Sequence, residues 1–532
     1  MLSAERFEEA AARARESRRP LPDVLRDDGY VAEGPLLSAL GKVYGLQVVD
    51  LDDDTPVDQS AVRSIPPRLA THYCVMPMKL EDGVITLAVS SLSDMAVVDD
   101  LETNLGLRVD RVLATRAGIQ RAIRRHYGVG AGTVERILGE DRPGEASHME
   151  TSHDLELMAE DASVVRLVNQ ILQDAIRDRA TDIHLESYRD EMLCRRRIDG
   201  VLQETSLPRS IRQLYPAMVS RIKLMSGLDI VERRLPQDGR ARVNMGREEF
   251  DLRVSIVPAV HGEDIVIRVL PTRSMLNLGD LGFSGAHRAE LEKYIAMPHG
   301  IVFVTGPTGS GKSTTLYACL NRLNTRDHKI ITIEDPVEYE VRGVTQTQVN
   351  PKIGLTFARA LRSMLRHDPD VMMVGEVRDR ETADIAVQTA MTGHLVLSTL
   401  HTNDAAGAAV RLMDMGVDPY LITSTVLVFI AQRLVRVICP ECREAVREAG
   451  ITRYRGAGCK TCGRSGYFGR AAVAEFLPML PAIAGLIMGK ASAREIRAKA
   501  DELGMQTLLQ DGLRKVEDGI TTEQEVFRVI VA

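Results

Sequence analysis

Tryptophan is absent from the 532 residues, and aromatic residues reach only 4%. Binders of single-stranded nucleic acid stack bases on aromatic side chains, so this composition disfavours that class. An excess of positive charge is lacking too. The chain has 67 Lys and Arg against 74 Asp and Glu, a formal charge of −7, which argues against nucleic-acid binding through a basic surface spread over the whole chain. Long apolar runs are also missing. The best span candidate, residues 421–438, is broken by Thr423, Ser424, Thr425, Gln432, Arg433 and Arg436, whereas a spanning helix needs about 20 mostly apolar residues. Residues 1–19 are charged throughout and hold no apolar signal-peptide core. A cytoplasmic protein is expected. The seven cysteines are an odd number, and four of them form two C-x-x-C pairs. In a reducing compartment that pattern reads as metal ligation rather than disulfides.

Apolar residues make up 44% and charged residues 27%, ordinary for a soluble protein. At about 150 residues per domain the length suggests three or four domains. Residues 1–128 read as a small α/β unit. Helical spacing covers residues 24–40 with turn signals at Gly29 and Gly34, and β-formers fill residues 84–89. A helix over 95–101, a strand over 108–113 and a basic helix over 119–127 follow. Residues 129–160 keep no apolar period and read as a linker. Residues 161–275 read as an α+β unit. Its helix carries Val164, Leu167, Val168, Ile171 and Leu172, and hairpins turn about Asp199-Gly200 and Gly246. From residue 276 to 532, strands and helices alternate as far as Leu400, the pattern of a parallel sheet wound with helices. A cysteine module at 436–466 and a helical region at 476–532 complete this part.

Chemistry concentrates after the strand at 301–305. Gly306, Pro307, Thr308, Gly309, Ser310, Gly311, Lys312 and Ser313 match G-x-x-x-x-G-K-[ST] in full, and a helix follows from Thr314. The glycines let several backbone N–H groups face one concavity, and the helix adds the positive end of its dipole. Lys312 would meet the β- and γ-phosphates of ATP, and the Ser313 hydroxyl would ligate Mg²⁺. Hydrolysis also needs a carboxylate. Two apolar strands end in acids: 330–333 runs into Glu334-Asp335-Pro336-Val337-Glu338, and 371–374 into Gly375-Glu376. Such acids fall at the carboxyl edge of a sheet, where ligands bind. Glu376 would hold Mg²⁺ or its waters, and Glu338 would orient and deprotonate the attacking water or, on the plainer reading, cap a turn.

Cys439, Cys442, Cys459 and Cys462 give C-x₂-C-x₁₆-C-x₂-C, the spacing of a structural tetrahedral Zn²⁺ site. Iron–sulfur or redox chemistry is the alternative. His394 and His401 bracket the strand at 395–400, where a histidine is commonly structural. Arg359, Arg362 and Arg366 form a stripe along a helix at 357–366, opposite Phe357, Leu361, Met364 and Leu365. That stripe is either solvated or part of an interface. Arg253 alternates with Phe250, Leu252, Val254 and Ile256, and Arg268 shares a face with Val266 and Leu270, where a charge needs a partner.

The Lys312 loop, residues 334–338, residues 375–379 and Thr392-Gly393-His394 through His401-Thr402 occur in that order. This series resembles the Walker A, Asp box, Walker B and His box of the secretion ATPases of type II secretion and type IV pilus systems, from about residue 35 onward. The resemblance implies a RecA-like P-loop domain behind an α+β, PAS-like domain and a small N-terminal α/β domain, with a Cys₄ zinc module near the C-terminus. It implies Glu338 as catalytic glutamate, Glu376 as Walker B acid, and His394 and His401 as sensors of the γ-phosphate. It also implies Arg253 and Arg268 as phosphate-reaching arginines, and Arg362 and Arg366 near a subunit interface. A homohexamer is expected, peripheral at the inner membrane and docked by its N-terminal domain on the cytoplasmic tail of a secretion platform. Relatives that bind cyclic di-GMP use an Arg-Leu-Gly-led stretch, and residues 19–25 lack that glycine, so that ligand is not expected. The long N-terminal domain and the cysteine module favour type II secretion or pilus assembly over pilus retraction. A nucleic-acid translocase and a nucleotide-bound scaffold without turnover are the readings from other classes.

Overall fold

A computed structural model describes residues 4–17, 19–52, 55–91, 102, 107–128, 162–246, 248–271, 277–448 and 451–530. The helix expected at 95–101 and the linker at 129–160 lie outside the described residues. The chain divides into two compact units, one of residues 1–245 and 250–269, the other of residues 246–249 and 270–532.

The first unit opens on helices and a three-stranded sheet, β1 (Met76–Glu81), β2 (Val84–Val89) and β3 (Arg108–Leu113). β1 runs antiparallel to β2, and β2 parallel to β3. Its core includes Leu37, Ile85, Leu87, Leu113 and Ile119. The helical stretch expected at 24–40 is two helices, Leu21–Asp27 and Glu33–Tyr44. Gly29 makes the turn at φ 73°, while Gly34 lies inside the second helix.

Helix Ala162–Arg177 then buries Val164, Leu167, Val168, Ile171 and Leu172. It precedes β4 (Ala180–Ser187), β5 (Met192–Ile198), β6 (Val201–Thr205), β7 (Gln237–Met245), β8 (Glu248–Ala259) and β9 (Gly262–Pro271). These strands form one sheet in the order β6-β5-β4-β9-β8-β7. Asp199 and Gly200 both take positive φ, 48° and 86°, as the tightest hairpin turn requires. Phe250, Leu252, Val254 and Ile256 of β8 are buried, with Arg253 on the other face. In β9 the buried residues are Glu263, Ile265, Ile267 and Val269, which leaves Arg268 outward. The partner its charge needed is Asp182, opposite it in β4, with Nε–Oδ1 at 3.0 Å.

The second unit is built on β10 (Gly300–Thr305), β11 (Ile330–Glu334), β12 (Val344–Gln348), β13 (Val371–Val374), β14 (Leu395–Leu400), β15 (Val426–Ile438) and, beyond the short hairpin β16 (Arg443–Glu448) and β17 (Ile451–Gly456), β18 (Tyr467–Pro478). The sheet order is β12-β11-β13-β14-β10-β15-β18. Every neighbouring pair is parallel except β15 and β18. Every residue of β10, β11, β13 and β14 is buried, as expected of parallel strands covered on both faces. Ile301 and Phe303 of β10 enter one core, Val302 and Val304 the other. Among the described residues no helix is long and apolar enough to cross a membrane. The stretch 421–438 ends a short helix, Pro419–Thr425, and then forms β15. β18 runs to Pro478, so the helical region expected from 476 begins at Pro481. Helices Pro481–Met488, Ala493–Glu502, Leu508–Glu517 and Glu523–Ile530 close the chain.

Candidate nucleotide site and cysteine cluster

Parallel order lines up the carboxyl ends of β10, β11, β13 and β14, and the marked motifs leave from those ends. β10 feeds Gly306–Gly311, whose three glycines take φ of 151°, 80° and 86° at positions 306, 309 and 311. Side chains cannot replace two of them. A Cβ on Gly306 would lie 2.5 Å from Ser310 Oγ and 2.6 Å from the Gln432 carbonyl oxygen, and one on Gly311 would lie 2.8 Å from Gln432 Nε2. Gly309 instead faces open space, and Pro307, Thr308 and Gly309 are exposed. The loop thus presses against the protein on one side and opens on the other.

Gln432, on β15 and 1% exposed, is the brace. Its Nε2 donates to Ser310 O at 2.9 Å, and its Oε1 accepts from Thr315 Oγ1 at 2.7 Å. Ser310 Oγ is buried and has no hydrogen-bond partner among the described residues. Lys312 opens helix Lys312–Leu323 with its ammonium turned back, donating to the carbonyls of Gly306 (2.7 Å) and Pro307 (3.1 Å). Burial pulls its pKa down to about 8, Glu376 opposes that fall and Arg433 adds to it. A half-desolvated ammonium, an orphaned hydroxyl and a helix N-terminus fit a polyphosphate. Ser313 is exposed one residue further on, followed by half-buried Thr314.

Glu376 follows β13 and is 8% exposed. Its Oε2 lies 3.1 Å from His401 Nε2, and its Oε1 2.7 Å from Arg378 Nη2. The sheet forces the first pairing, because β13 and β14 are neighbours. Thr399 Oγ1 also donates to Gly375 O at 2.7 Å, and Thr402 N to Thr305 Oγ1 at 2.9 Å. His394, the other histidine expected to sense phosphate, stands apart from His401. It precedes β14 at the amino edge, about 20 Å along the strand from His401, with Nδ1 3.0 Å from both Thr389 O and Thr392 Oγ1. Of the two histidines, His401 is the one that reaches Glu376 at the carboxyl edge.

The Asp box divides its labour. Glu334 is 3% exposed and accepts from Thr332 Oγ1 at 2.6 Å, from Gln346 Nε2 at 3.1 Å and from the Tyr317 hydroxyl. Burial, with Glu334 beside it, pushes the Tyr317 phenol well above its usual range. Tyr317 belongs to the Lys312 helix and also accepts from Glu338 N at 3.3 Å. Glu334 is therefore committed to holding Tyr317, while Glu338 stands half-buried after the cis Asp335–Pro336 bond.

Arg362, on helix Phe357–Met364, and Arg366, in the turn just after it, are both exposed; the helix expected to reach 366 ends at Met364. Arg362 pairs with Glu381 at 2.7 Å, and Arg366 donates to the Arg362 carbonyl at 2.8 Å. Arg253 and Arg268 belong to the first unit.

The four cysteines meet. All four Sγ atoms lie within 4.8 Å of one another, with Cys439–Cys459 at 3.7 Å, Cys442–Cys462 at 3.9 Å and Cys459–Cys462 at 3.7 Å. A tetrahedron with Zn–S of about 2.3 Å has S–S edges of about 3.8 Å. Gly458 N and Cys459 N donate to Cys442 Sγ and Cys462 Sγ at 3.3 and 3.1 Å. The donor set fits a closed four-thiolate site.

Comparison with known families decides the identity. Residues 158–528 match the family described as type II/IV secretion system protein, and residues 44–133 match the MshEN domain. The chain belongs to the type II/IV secretion ATPase family. A type IV pilus assembly ATPase, PilB of Myxococcus xanthus, is 40% identical over 99% of this chain and 96% of its own. Type II secretion system protein E of Xanthomonas campestris is 42% identical over 94% and 91%, and that of Pseudomonas aeruginosa 48% over 72% and 79%. Among solved structures, the Legionella pneumophila ATPase DotB matches 68% of this chain and 94% of its own at 26% identity, with TM-score 0.52. This secretion ATPase is an enzyme that uses nucleotide and, with its family, Mg²⁺. Glu334 is visible in the sequence as a strand-end acid, but its partner Tyr317 on the Lys312 helix and the brace Gln432 are not singled out there. For Gln432 the signal available was a polar residue within an apolar strand run.

Proposed function

We propose that this chain is the motor ATPase of a type II secretion system. The supporting observation is the convergence at one sheet edge of the glycine cradle with Lys312 and of Glu376 within 3.1 Å of His401. The cradle N–H groups and Lys312 bind and orient ATP, and Lys312 neutralises charge that grows on the terminal phosphoryl group. Glu338 orients the attacking water and takes its proton. His401, hydrogen-bonded to Glu376, reports loss of the γ-phosphate. Ser313 and Glu376 would hold Mg²⁺, which supplies further charge neutralisation when bound. Arg253 and Arg268 serve as the phosphate-reaching arginines that the family resemblance implies. Arg362 and Arg366 line a subunit interface in a ring of six. The N-terminal domain, residues 1–128, docks the ring on the cytoplasmic tail of an inner-membrane platform, with no nucleic acid involved. Cys439, Cys442, Cys459 and Cys462 hold a structural Zn²⁺, which leaves no open position for catalysis.

A second reading, a type IV pilus assembly ATPase with the same chemistry, is favoured by the end-to-end match to the Myxococcus xanthus protein. Phosphate release with recombinant tails from each kind of platform separates the two. Stimulation by the secretion tail alone supports the first reading, and stimulation by the pilus tail alone overturns it. Lys312→Ala and Glu338→Gln should each abolish release. A Glu338→Gln protein that turns over normally would remove Glu338 from the chemistry.

A further inference from the structure

β15 runs parallel beside β10, with Ala431 paired to Thr305. The next two residues of β15 therefore lie alongside the phosphate loop. Gln432 braces that loop, as described above. Arg433 does something different. Its Nη1 donates to the Gln432 carbonyl at 3.1 Å, and its Nη2 donates to the Asn403 carbonyl at 3.0 Å. The same Gln432 oxygen lies 2.6 Å from the Cβ position of Gly306, so two short contacts separate the guanidinium from the first glycine of the cradle. Asn403 is two residues beyond His401, and Thr402 between them is tied to Thr305. One planar side chain thus spans the cradle and the loop that carries His401.

The charge is the second observation. Arg433 is half-buried and makes no ion pair among the described residues; both contacts given above are to neutral carbonyls. Burial lowers its pKa despite Glu475 and Asp404 in the surroundings. A guanidinium withdrawn from water without a contacting carboxylate is costly. Its positive charge is felt at Lys312.

We propose that Arg433 is a further positioning residue of the ATPase site, which ties the His401 loop to the phosphate cradle and keeps an unpaired cation beside the bound triphosphate. The inference rests on reading the Lys312 loop as the phosphate site. A bridge to two carbonyls needs the arginine fork, whereas the field at the phosphates needs only a positive charge. Lysine and glutamine at this position therefore separate the two parts.

The test uses the full-length protein, equilibrium binding of fluorescent ATP and ADP, and steady-state phosphate release. Arg433→Gln should weaken ATP binding about tenfold and ADP binding less, because the γ-phosphate carries the extra charge. Arg433→Lys should keep ATP binding near the wild-type value and still lower kcat about tenfold, because an ammonium does not span both carbonyls. Wild-type kcat in Arg433→Lys, or ATP affinity within twofold of wild type in Arg433→Gln, overturns the proposal. So does equal weakening of ATP and ADP together with a fall in unfolding temperature, which marks a purely structural role. If Arg433→Gln does not fold, the kcat of Arg433→Lys decides alone. Lys312→Ala in parallel reports on the phosphate-site reading itself: unchanged ATP affinity there would sink that reading, whatever Arg433 does.

Discussion

At the scale of single residues, the site depends on groups held in electrostatically expensive states. Lys312 has a pKa near 8 because burial outweighs the attraction of Glu376. A triphosphate favours the ammonium form and raises that pKa, so ATP binding above pH 8 must take up a proton. Affinity should hold below pH 8 and fall as pH rises beyond it, by up to about tenfold per unit. Calorimetry at pH 9 in two buffers of different ionisation heat measures the uptake directly. Flat affinity from pH 7.5 to 9.5 would contradict it. Gln432 is a second case. Gln432→Ala leaves the Ser310 carbonyl and the Thr315 hydroxyl without their partner. A loss of about 1–3 kcal/mol is expected for stranding a buried polar group. Urea denaturation of the variant checks that figure.

At the scale of elements, Glu475 shows how a strand secures helices distant in sequence. It is 0% exposed on β18. Its two oxygens accept from Ala405 N at 2.9 Å and Leu508 N at 3.2 Å, the first residues of helices Ala405–Asp414 and Leu508–Glu517. Arg497, on helix Ala493–Glu502, adds an ion pair at 3.2 Å. One buried carboxylate thus satisfies two helix N-termini and is balanced by one arginine. Glu475→Ala should cost about 3–5 kcal/mol, the range for breaking a buried pair, read as a lower midpoint in guanidinium. A change below 1 kcal/mol would show that water or Asp404 replaces the cap.

At the scale of the molecule, the cysteine cluster is bound into the C-terminal helices rather than hanging free. Arg443 donates to the Asp518 carbonyl at 3.3 Å and lies over the Tyr454 ring, Arg453 pairs with Glu523, and the hydroxyls of Tyr467 and Thr522 meet at 2.7 Å. Metal content should be about one zinc per chain by elemental analysis. Stripping it with a chelator, or Cys442→Ser, should open 443–460 to protease and loosen residues 518–530 with it. A stripped protein with unchanged proteolysis would mean the clip stands without metal.

By itself the sequence determined what depends on neighbours along the chain. The bent cradle with Lys312, the acids that end apolar strands, the Asp199-Gly200 turn and the paired C-x-x-C spacing each fit within a few residues. They were legible because local backbone geometry demands those residue types. Only the tertiary structure decided which distant residues hold them. Gln432 and Thr315 are 117 positions apart, and Glu475 caps helices that begin on either side of it in the chain. That the two histidines stand at opposite ends of β14 is local strand geometry, but that His401 meets Glu376 follows from β13 lying beside β14. Strand order joins His401 to Glu376 and Gln432 to the cradle, and no local pattern encodes strand order.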